Sequence, residues 1–331
     1  MTETLLCVRG LEVHFPVRTG GVLRARHQAL KAVDGVTFDL ASGETLGVVG
    51  ESGCGKSTLA RAILRLIQPT GGKVVWMGED LAAVDDGELR LWRREAQIIF
   101  QDPLASLDPR MTVGRIIGEP LEYLRPELSK EEQRRLVKDT MAKVGLLPQM
   151  IHRYPHEFSG GQCQRIGIAR AVILEPKMVI CDEPVSALDV SIQAQIINLL
   201  MDLQRELGLA LLFISHDLSV VRHISRRVMV LYLGKVMEVA DRDAIFDRPL
   251  HPYTRALISA VPVPDPEVEA TRVRQELGSE LPSPIDPPSG CVFRTRCPLV
   301  TERCAAEVPV LEQADDGHEI ACHHWREEVA K

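Results

Sequence analysis

Aromatic side chains are scarce. Seven Phe, four Tyr and three Trp make up 4% of the 331 residues, too few for the stacked platforms that hold single-stranded nucleic acid. Basic residues are not in excess either. Lys and Arg number 39 against 46 Asp and Glu, a formal charge of -7. The chain therefore lacks the broad positive footprint of a DNA- or RNA-binding protein, and no nucleic-acid partner is expected. Long apolar runs are also missing. The longest, such as LALLFI (209–214) and VMVLYL (228–233), fall far short of the ~20 residues that span a bilayer. They read as buried strands. The opening residues, MTETLLCVRGLEVHF, show no basic stretch followed by an apolar one, so no signal peptide is expected and any membrane role comes through a partner. What is present is an ordinary globular composition, 45% hydrophobic and 26% charged, long enough for about two domains.

Strand-like and helix-like segments alternate. LLCVRGLEVHFPV (5–17) and VDGVTFDLASGE (33–44) read as strands around an 18–28 hairpin loop, and TLGVVG (45–50) as a short buried strand before a glycine-rich loop and a helix at 57–67. GKVVWMGEDL (72–81) returns to strand, residues 85–94 look helical, and AQIIFQDP (96–103) is a buried strand ending in a polar loop. From about 104 to 157 the pattern is mainly helical. A glycine loop (159–161) follows, then helix 162–174, strand 177–183, helix 190–207, strand 210–217, helix 218–224 and strand 227–235. Such alternation predicts an α/β fold with a mostly parallel sheet covered by helices. From Val261 onward proline-rich, aperiodic sequence reads as a linker to a small Cys-rich tail.

Gly50-Glu51-Ser52-Gly53-Cys54-Gly55-Lys56-Ser57 fits the phosphate-loop pattern G-x-x-x-x-G-K-[ST], and it sits where that motif belongs, between an apolar strand and a helix. Glycines let backbone N–H groups turn toward phosphate oxygens, and the helix N-terminus adds its dipole. Lys56 is expected to reach the β- and γ-phosphates and the Ser57 hydroxyl to bind Mg²⁺. MVICD (178–182) is a buried strand ending in Asp182, followed by Glu183. Asp182 fits the Mg²⁺-holding acid of phosphate-loop ATPases, and Glu183 fits a general base that polarises the attacking water.

Phe158-Ser159-Gly160-Gly161-Gln162, about twenty residues before Asp182, resembles the LSGGQ signature of ATP-binding-cassette (ABC) ATPases. It offers a second glycine-flanked helix N-terminus with a serine hydroxyl. The resemblance covers roughly residues 5–250 and implies the ABC-type P-loop fold: a mostly parallel sheet, an antiparallel β edge and a helical subdomain at about 104–157. It also implies roles. Thr58 joins the phosphate loop, Gln101 matches the Q-loop glutamine near Mg²⁺ and the reaction centre, and Ser186-Ala187-Leu188-Asp189 matches the D-loop. His216 matches the switch histidine that contacts the γ-phosphate, and Phe15 sits where an aromatic stacks on adenine. Catalysis is then expected of Glu183, His216 and Gln101, with ATP and Mg²⁺ as ligands.

One phosphate loop and one signature make half a site. The resemblance implies head-to-tail pairing, in which ATP at Lys56 of one cassette is covered by Ser159, Gly160, Gly161, Gln162 and Asp189 of another. The short helical span leaves no room for a coiled-coil arm, so transport is the better reading. VDGVTFDLASGETLGVVGESGCGKSTLARAIL, IIFQDPLASLDPRMTVG and HPYTRALISAVPVPDP are similar to the ATPases of oligopeptide/dipeptide (and nickel) importers. Ser106-Leu107-Asp108-Pro109-Arg110-Met111 resembles the F-type rather than the D-type subunit. This resemblance implies a cassette over 1–250 and an extension over 251–331 opened by His251-Pro252-Tyr253. It also implies a D-type sister ATPase or a homodimer, two transmembrane permease subunits, an extracytoplasmic peptide-binding protein, and a location on the cytoplasmic face of the membrane. Peptide is the expected cargo; the alternatives are nickel or another small solute, or a non-catalytic or nucleic-acid-associated ABC ATPase.

The tail has the spacing Cys291-x5-Cys297-x6-Cys304-x17-Cys322, without the C-x2-C pairs of zinc ribbons. Nothing points to an oxidising compartment, so disulfides are disfavoured, and in a reduced compartment four grouped thiols favour a metal over coincidence. Zinc with His318, His323 or His324 as a ligand, a four-iron cluster, and no metal all remain open. Gly290-Cys291, Phe293 and Arg296-Cys297-Pro298 resemble the tails of peptide-importer ATPases that hold [4Fe-4S]. Far in sequence from the phosphate loop, the tail is expected to act structurally or in regulation.

Overall fold

The computed structural model describes residues 3–19, 26–262, 281–315 and 317–326. Two compact units divide the chain. The first comprises Met1–Leu6, Leu40–Thr45 and Val75–Ser215; the second comprises Cys7–Asp39, Leu46–Val74 and His216–Lys331.

In the first unit the parallel strands β6 (Ala96–Ile99), β7 (Met178–Asp182) and β8 (Ala210–Ile214) lie side by side in that order. Every residue of β7 and β8 is buried. A strand covered on both faces carries no polar alternation, which is why MVICD and ALLFI read as continuous apolar runs. The register pairs Ile99 with Cys181 and Cys181 with Phe213. Parallel strands in register deliver the residues just past their carboxyl ends to one place, where α/β sheets bind ligands.

The helical stretch holds α3 (Val113–Leu124) and α4 (Lys130–Lys143), followed by two 3₁₀ turns. Ser129 and Glu132 form a reciprocal capping box that starts α4, an arrangement that satisfies two otherwise orphaned N–H groups. Next come α5 (Gly160–Val172) and α6 (Val190–Leu207). Helix α6 ends at Gly208, whose φ of 66° suits a left-handed helix terminator.

The strands β2 (Arg26–Ala41), β1 (Thr4–Thr19) and β4 (Gly71–Trp76), most of whose residues belong to the second unit, are neighbours in that order. β2 starts seven residues before the expected Val33. Of the expected hairpin loop at 18–28, residues 18–19 and 26–28 are strand; 20–25 lie outside the described residues, as do 263–280 of the expected linker. β3 (Thr45–Val49) pairs in parallel with β9 (Arg227–Tyr232). β10 (Lys235–Asp241) then returns antiparallel to β9, where no separate strand was expected. α7 (Leu218–Ile224) is capped by Asp217, which accepts from the N–H groups of Ser219 and Val220. α8 (Arg242–Asp247) and α9 (Pro252–Ser259) follow.

The tail is less irregular than its prolines suggest. It holds α10 (Glu302–Ala306) and strands β11 (Glu312–Asp315) and β12 (His318–Ile320), with β12 paired antiparallel to β10. A buried polar knot fastens it. Glu238, fully buried in β10, accepts from the N–H groups of Leu250 at 2.7 Å and His251 at 3.0 Å. His318 Nε2 lies 2.7 Å from the same carboxylate. A buried carboxylate persists only with such partners around it.

His251 starts α9 by accepting the Tyr253 N–H on Nδ1 at 3.0 Å, with Pro252 in the first turn. Burial lowers its pKa to about 4, partly opposed by the charge of Glu238. In the unfolded chain an imidazole titrates near 6.5. Between these values the unfolded state binds the extra proton, so stability falls as pH drops from ~6.5 to ~4. The contribution lost from this one group is about 3 kcal/mol. Urea unfolding at pH 7 and pH 4.5 should show that slope. His251→Asn, which keeps a capping acceptor, should flatten it relative to the wild type.

Candidate functional site

The second unit carries the phosphate loop between β3 and α1 (Lys56–Ile63). Gly50 and Gly55 have φ of 155° and 106°. A methyl on Gly55 would stand 2.0 Å from the Ala32 carbonyl oxygen, and one on Gly50 would stand 2.2 Å from that of Leu231. Glycine is required at both positions by close backbone approach. Helix α1 has Gly55 at its N-cap and no side-chain cap, so the positive end of its dipole faces the loop, where an anion is favoured. Lys56 is buried, and its ammonium donates to the carbonyls of Gly50 at 2.7 Å and Glu51 at 3.1 Å. Cys54 is buried and burial raises its thiol pKa. Ser52 and Gly53 are exposed, while Ser57 and Thr58 are half-buried in the first turn. Phe15 lies half-buried on β1, and His216 is exposed just before α7.

The sequence does not reveal that Tyr253 and Arg296 reach this loop. The Glu51 N–H donates to the Tyr253 hydroxyl at 3.0 Å. The Arg296 guanidinium grips the Glu51 carboxylate with both terminal nitrogens, at 2.7 and 3.0 Å. Burial opposes the charge on Arg296, yet hydrogen bonds to Glu51 and Tyr232 hold its pKa above the ordinary value. Burial raises the pKa of Tyr253, so its hydroxyl stays neutral. The rings of Tyr232, Tyr253 and Phe293 meet at tilted or edge angles, with centroids 4.8–5.3 Å apart. The tail is therefore remote from the phosphate loop in sequence but touches it in space. The only signals were the HPY and RCP triplets, which mark no contact by themselves.

The first unit brings together Gln101, Asp182 and Glu183. Continuing the β6–β7 register past Ile99 and Cys181 sets 101 opposite 183. Gln101 Nε2 donates to Glu183 Oε2 at 2.9 Å. Asp182 is buried at the end of β7. Glu183 has φ 48°, a left-handed conformation that costs a non-glycine residue about 1–3 kcal/mol and is frequent at active sites. Its N–H donates to the Ile214 carbonyl, and its own carbonyl accepts the Ser186 hydroxyl at 3.1 Å. The turn is thus held on both sides.

Ser159 caps α5 and forms a reciprocal box with Gln162: its hydroxyl accepts the Gln162 N–H at 3.4 Å, and Gln162 Oε1 accepts the Ser159 N–H at 3.0 Å. Ser159 and Gly160 are exposed, as are Ala187 and Asp189. A methyl on Gly160 would touch Leu188 at 3.6 Å, and one on Gly161 would overlap Ile192 at 2.5 Å. The signature and the D-loop therefore form one exposed surface, which continues to Val190, 82% exposed.

The four tail cysteines are free thiols. Burial pushes Cys297 up to about 11 and Cys322 to about 12, and the charges of the other tail cysteines add to both shifts. The expectation of an iron–sulfur or zinc site finds no support. Among the described residues no three or more His, Cys, Asp or Glu side chains are grouped to hold a metal ion. Among the described residues no helix is long and apolar enough to cross a membrane.

Comparison with known proteins places these features. Residues 33–186 match the ABC transporter family model, and 237–304 match that of the oligopeptide/dipeptide transporter C-terminal region. The chain is 60% identical to the oligopeptide transport ATP-binding protein OppF of Escherichia coli K12, over 97% of this chain and 96% of that protein. It is 54% identical to a probable peptide ABC transporter ATP-binding protein, y4tS, of Sinorhizobium fredii, over 98% of this chain and 90% of that one. A solved dimer of the ATP-binding cassette MJ0796, in a post-hydrolysis state bound to ADP and Pi, superposes with a TM-score of 0.64 at 28% identity. That likeness covers 72% of this chain and 99% of the other. With its phosphate loop, signature and C-terminal region, the chain belongs to the ABC transporter ATPases of the oligopeptide/dipeptide class.

Proposed function

We propose that this chain is the ATP-hydrolysing subunit of an importer that carries peptides across the cytoplasmic membrane. The observation that carries this reading is the match of nearly the whole chain, cassette and C-terminal region together, to an oligopeptide transport ATP-binding protein. In this reading the phosphate loop from Gly50 to Thr58 and the Lys56 ammonium hold the phosphates, and Phe15 supports the base. The hydroxyl of Ser57, the amide oxygen of Gln101 and the carboxylate of Asp182 are hard oxygen donors suited to Mg²⁺. That ion would neutralise charge on the transferring phosphoryl group. Glu183, oriented by Gln101, takes a proton from water as the water oxygen bonds to the γ-phosphorus and the bond to the ADP oxygen breaks. His216 donates to the γ-phosphate.

Ser159, Gly160, Gly161, Gln162 and Asp189 serve a second cassette, either a D-type sister or another copy of this chain. The exposure of Ser159, Gly160 and Asp189 supports this assignment. Two permease subunits carry the stroke across the bilayer, and an extracytoplasmic binding protein selects the peptide. The chain then works at the cytoplasmic face. The test is reconstitution with its permeases, sister ATPase and binding protein in liposomes. Labelled peptide should accumulate only with ATP, and peptide should stimulate phosphate release. Peptide-independent turnover without uptake would overturn the reading.

A further inference from the structure

We propose that Arg296 is a positioning residue for the phosphate loop, through which the Cys-rich tail sets nucleotide affinity. Glu51 is the second residue of the loop and places a carboxylate beside a site for a polyanion. Two features of the C-terminal region meet it. Arg296, 8% exposed, closes a bidentate fork on the carboxylate, and Tyr253 accepts the backbone N–H of the same residue. A fork of this kind fixes both charge and orientation.

Arg296 is itself held in place. Its N–H donates to the Phe293 carbonyl at 3.0 Å, and its guanidinium packs 5.8 Å from the Tyr232 ring centroid. Phe293 is fully buried among Tyr232, Tyr253 and His251. Loop, α9 and tail thus share one packed cluster within the second unit. Removing Arg296 leaves the Glu51 carboxylate uncompensated next to incoming phosphates and frees the loop's first turn. Coupling is reciprocal by thermodynamic necessity, so bound nucleotide steadies the tail.

The inference rests on nucleotide binding at this loop. Its test is calorimetric titration of the purified full-length chain with MgATP. Arg296→Met should weaken binding about tenfold, within the usual range of site-to-site coupling. Arg296→Lys, which keeps the charge but loses the fork, should fall between it and the wild type. Adding Glu51→Gln to Arg296→Met should recover most of the lost affinity, because the stranded carboxylate is gone; a general packing defect would not be rescued this way. Affinity unchanged in Arg296→Met, or no recovery in the double variant, overturns the proposal. Should Arg296→Met fail to fold, hydrogen exchange on the wild type decides. MgATP should slow exchange at amides 291–296, and no change there overturns the proposal. Wild-type chain that does not bind MgATP would sink the nucleotide reading itself, a distinct result.

Discussion

Glu183→Gln is expected to stop turnover while nucleotide still binds. Phosphate release by the assembled transporter should fall by about 10²–10⁴-fold, the usual contribution of a positioned general base. The substitution is nearly isosteric. An amide oxygen at 183 can still accept from Gln101 Nε2, and the left-handed turn relies on backbone bonds to Ile214 and Ser186 that do not involve the side chain. Binding should therefore persist, and ATP should accumulate unhydrolysed in paired cassettes, visible as a nucleotide-loaded dimer by size exclusion. Turnover within twofold of the wild type would remove Glu183 from the role of base.

Gly55→Ala should abolish nucleotide binding for a different reason. The new methyl would lie 2.0 Å from the Ala32 carbonyl oxygen, and the backbone at φ 106° is strained for any L side chain. Neither obstacle is a flexible side-chain end, so the turn ahead of Lys56 must move. The MgATP dissociation constant should rise at least about a hundredfold, equivalent to ~2.7 kcal/mol. Gly53→Ala separates the two causes. Its φ is 80° with nothing within 4 Å of the added methyl, so only backbone strain applies and the loss should be milder, about tenfold. Equal losses in both variants would mean that close approach to Ala32 is unimportant.

Local chemistry made most of the fold legible. Helices α6 and α7 have the bounds predicted from their apolar spacing, because the glycine after Leu207 and the aspartate before Leu218 terminate them within the sequence itself. The buried strands β3, β7 and β8 announced themselves as apolar runs bounded by turn residues. Helix α1 is shorter than expected, ending at Ile63 instead of 67, because Arg65 adopts φ 50°. The strands β11 and β12 were illegible. They have four and three residues and carry mostly polar side chains, and β12 gains its place by pairing with β10.

The same limit applies to the site. The phosphate loop, Asp182–Glu183 and the signature are contiguous motifs whose spacing encodes their geometry. The hydrogen bond from Glu51 to Tyr253 spans 202 positions and the ion pair with Arg296 spans 245. No periodicity relates residues so far apart; only the folded chain joins them.

The carboxylate of Glu238 has a consequence for how the molecule is made. One of its partners, His318, is translated 80 residues later. Until His318 emerges, that carboxylate has the Leu250 and His251 N–H groups and fills its remaining acceptor site with water, so the outer edge of β10 stays wet in the nascent protein. A message broken before codon 318 would yield a product whose acid keeps its Leu250 and His251 donors but has water in place of His318 at the sheet margin, a feature that quality-control proteases can recognise.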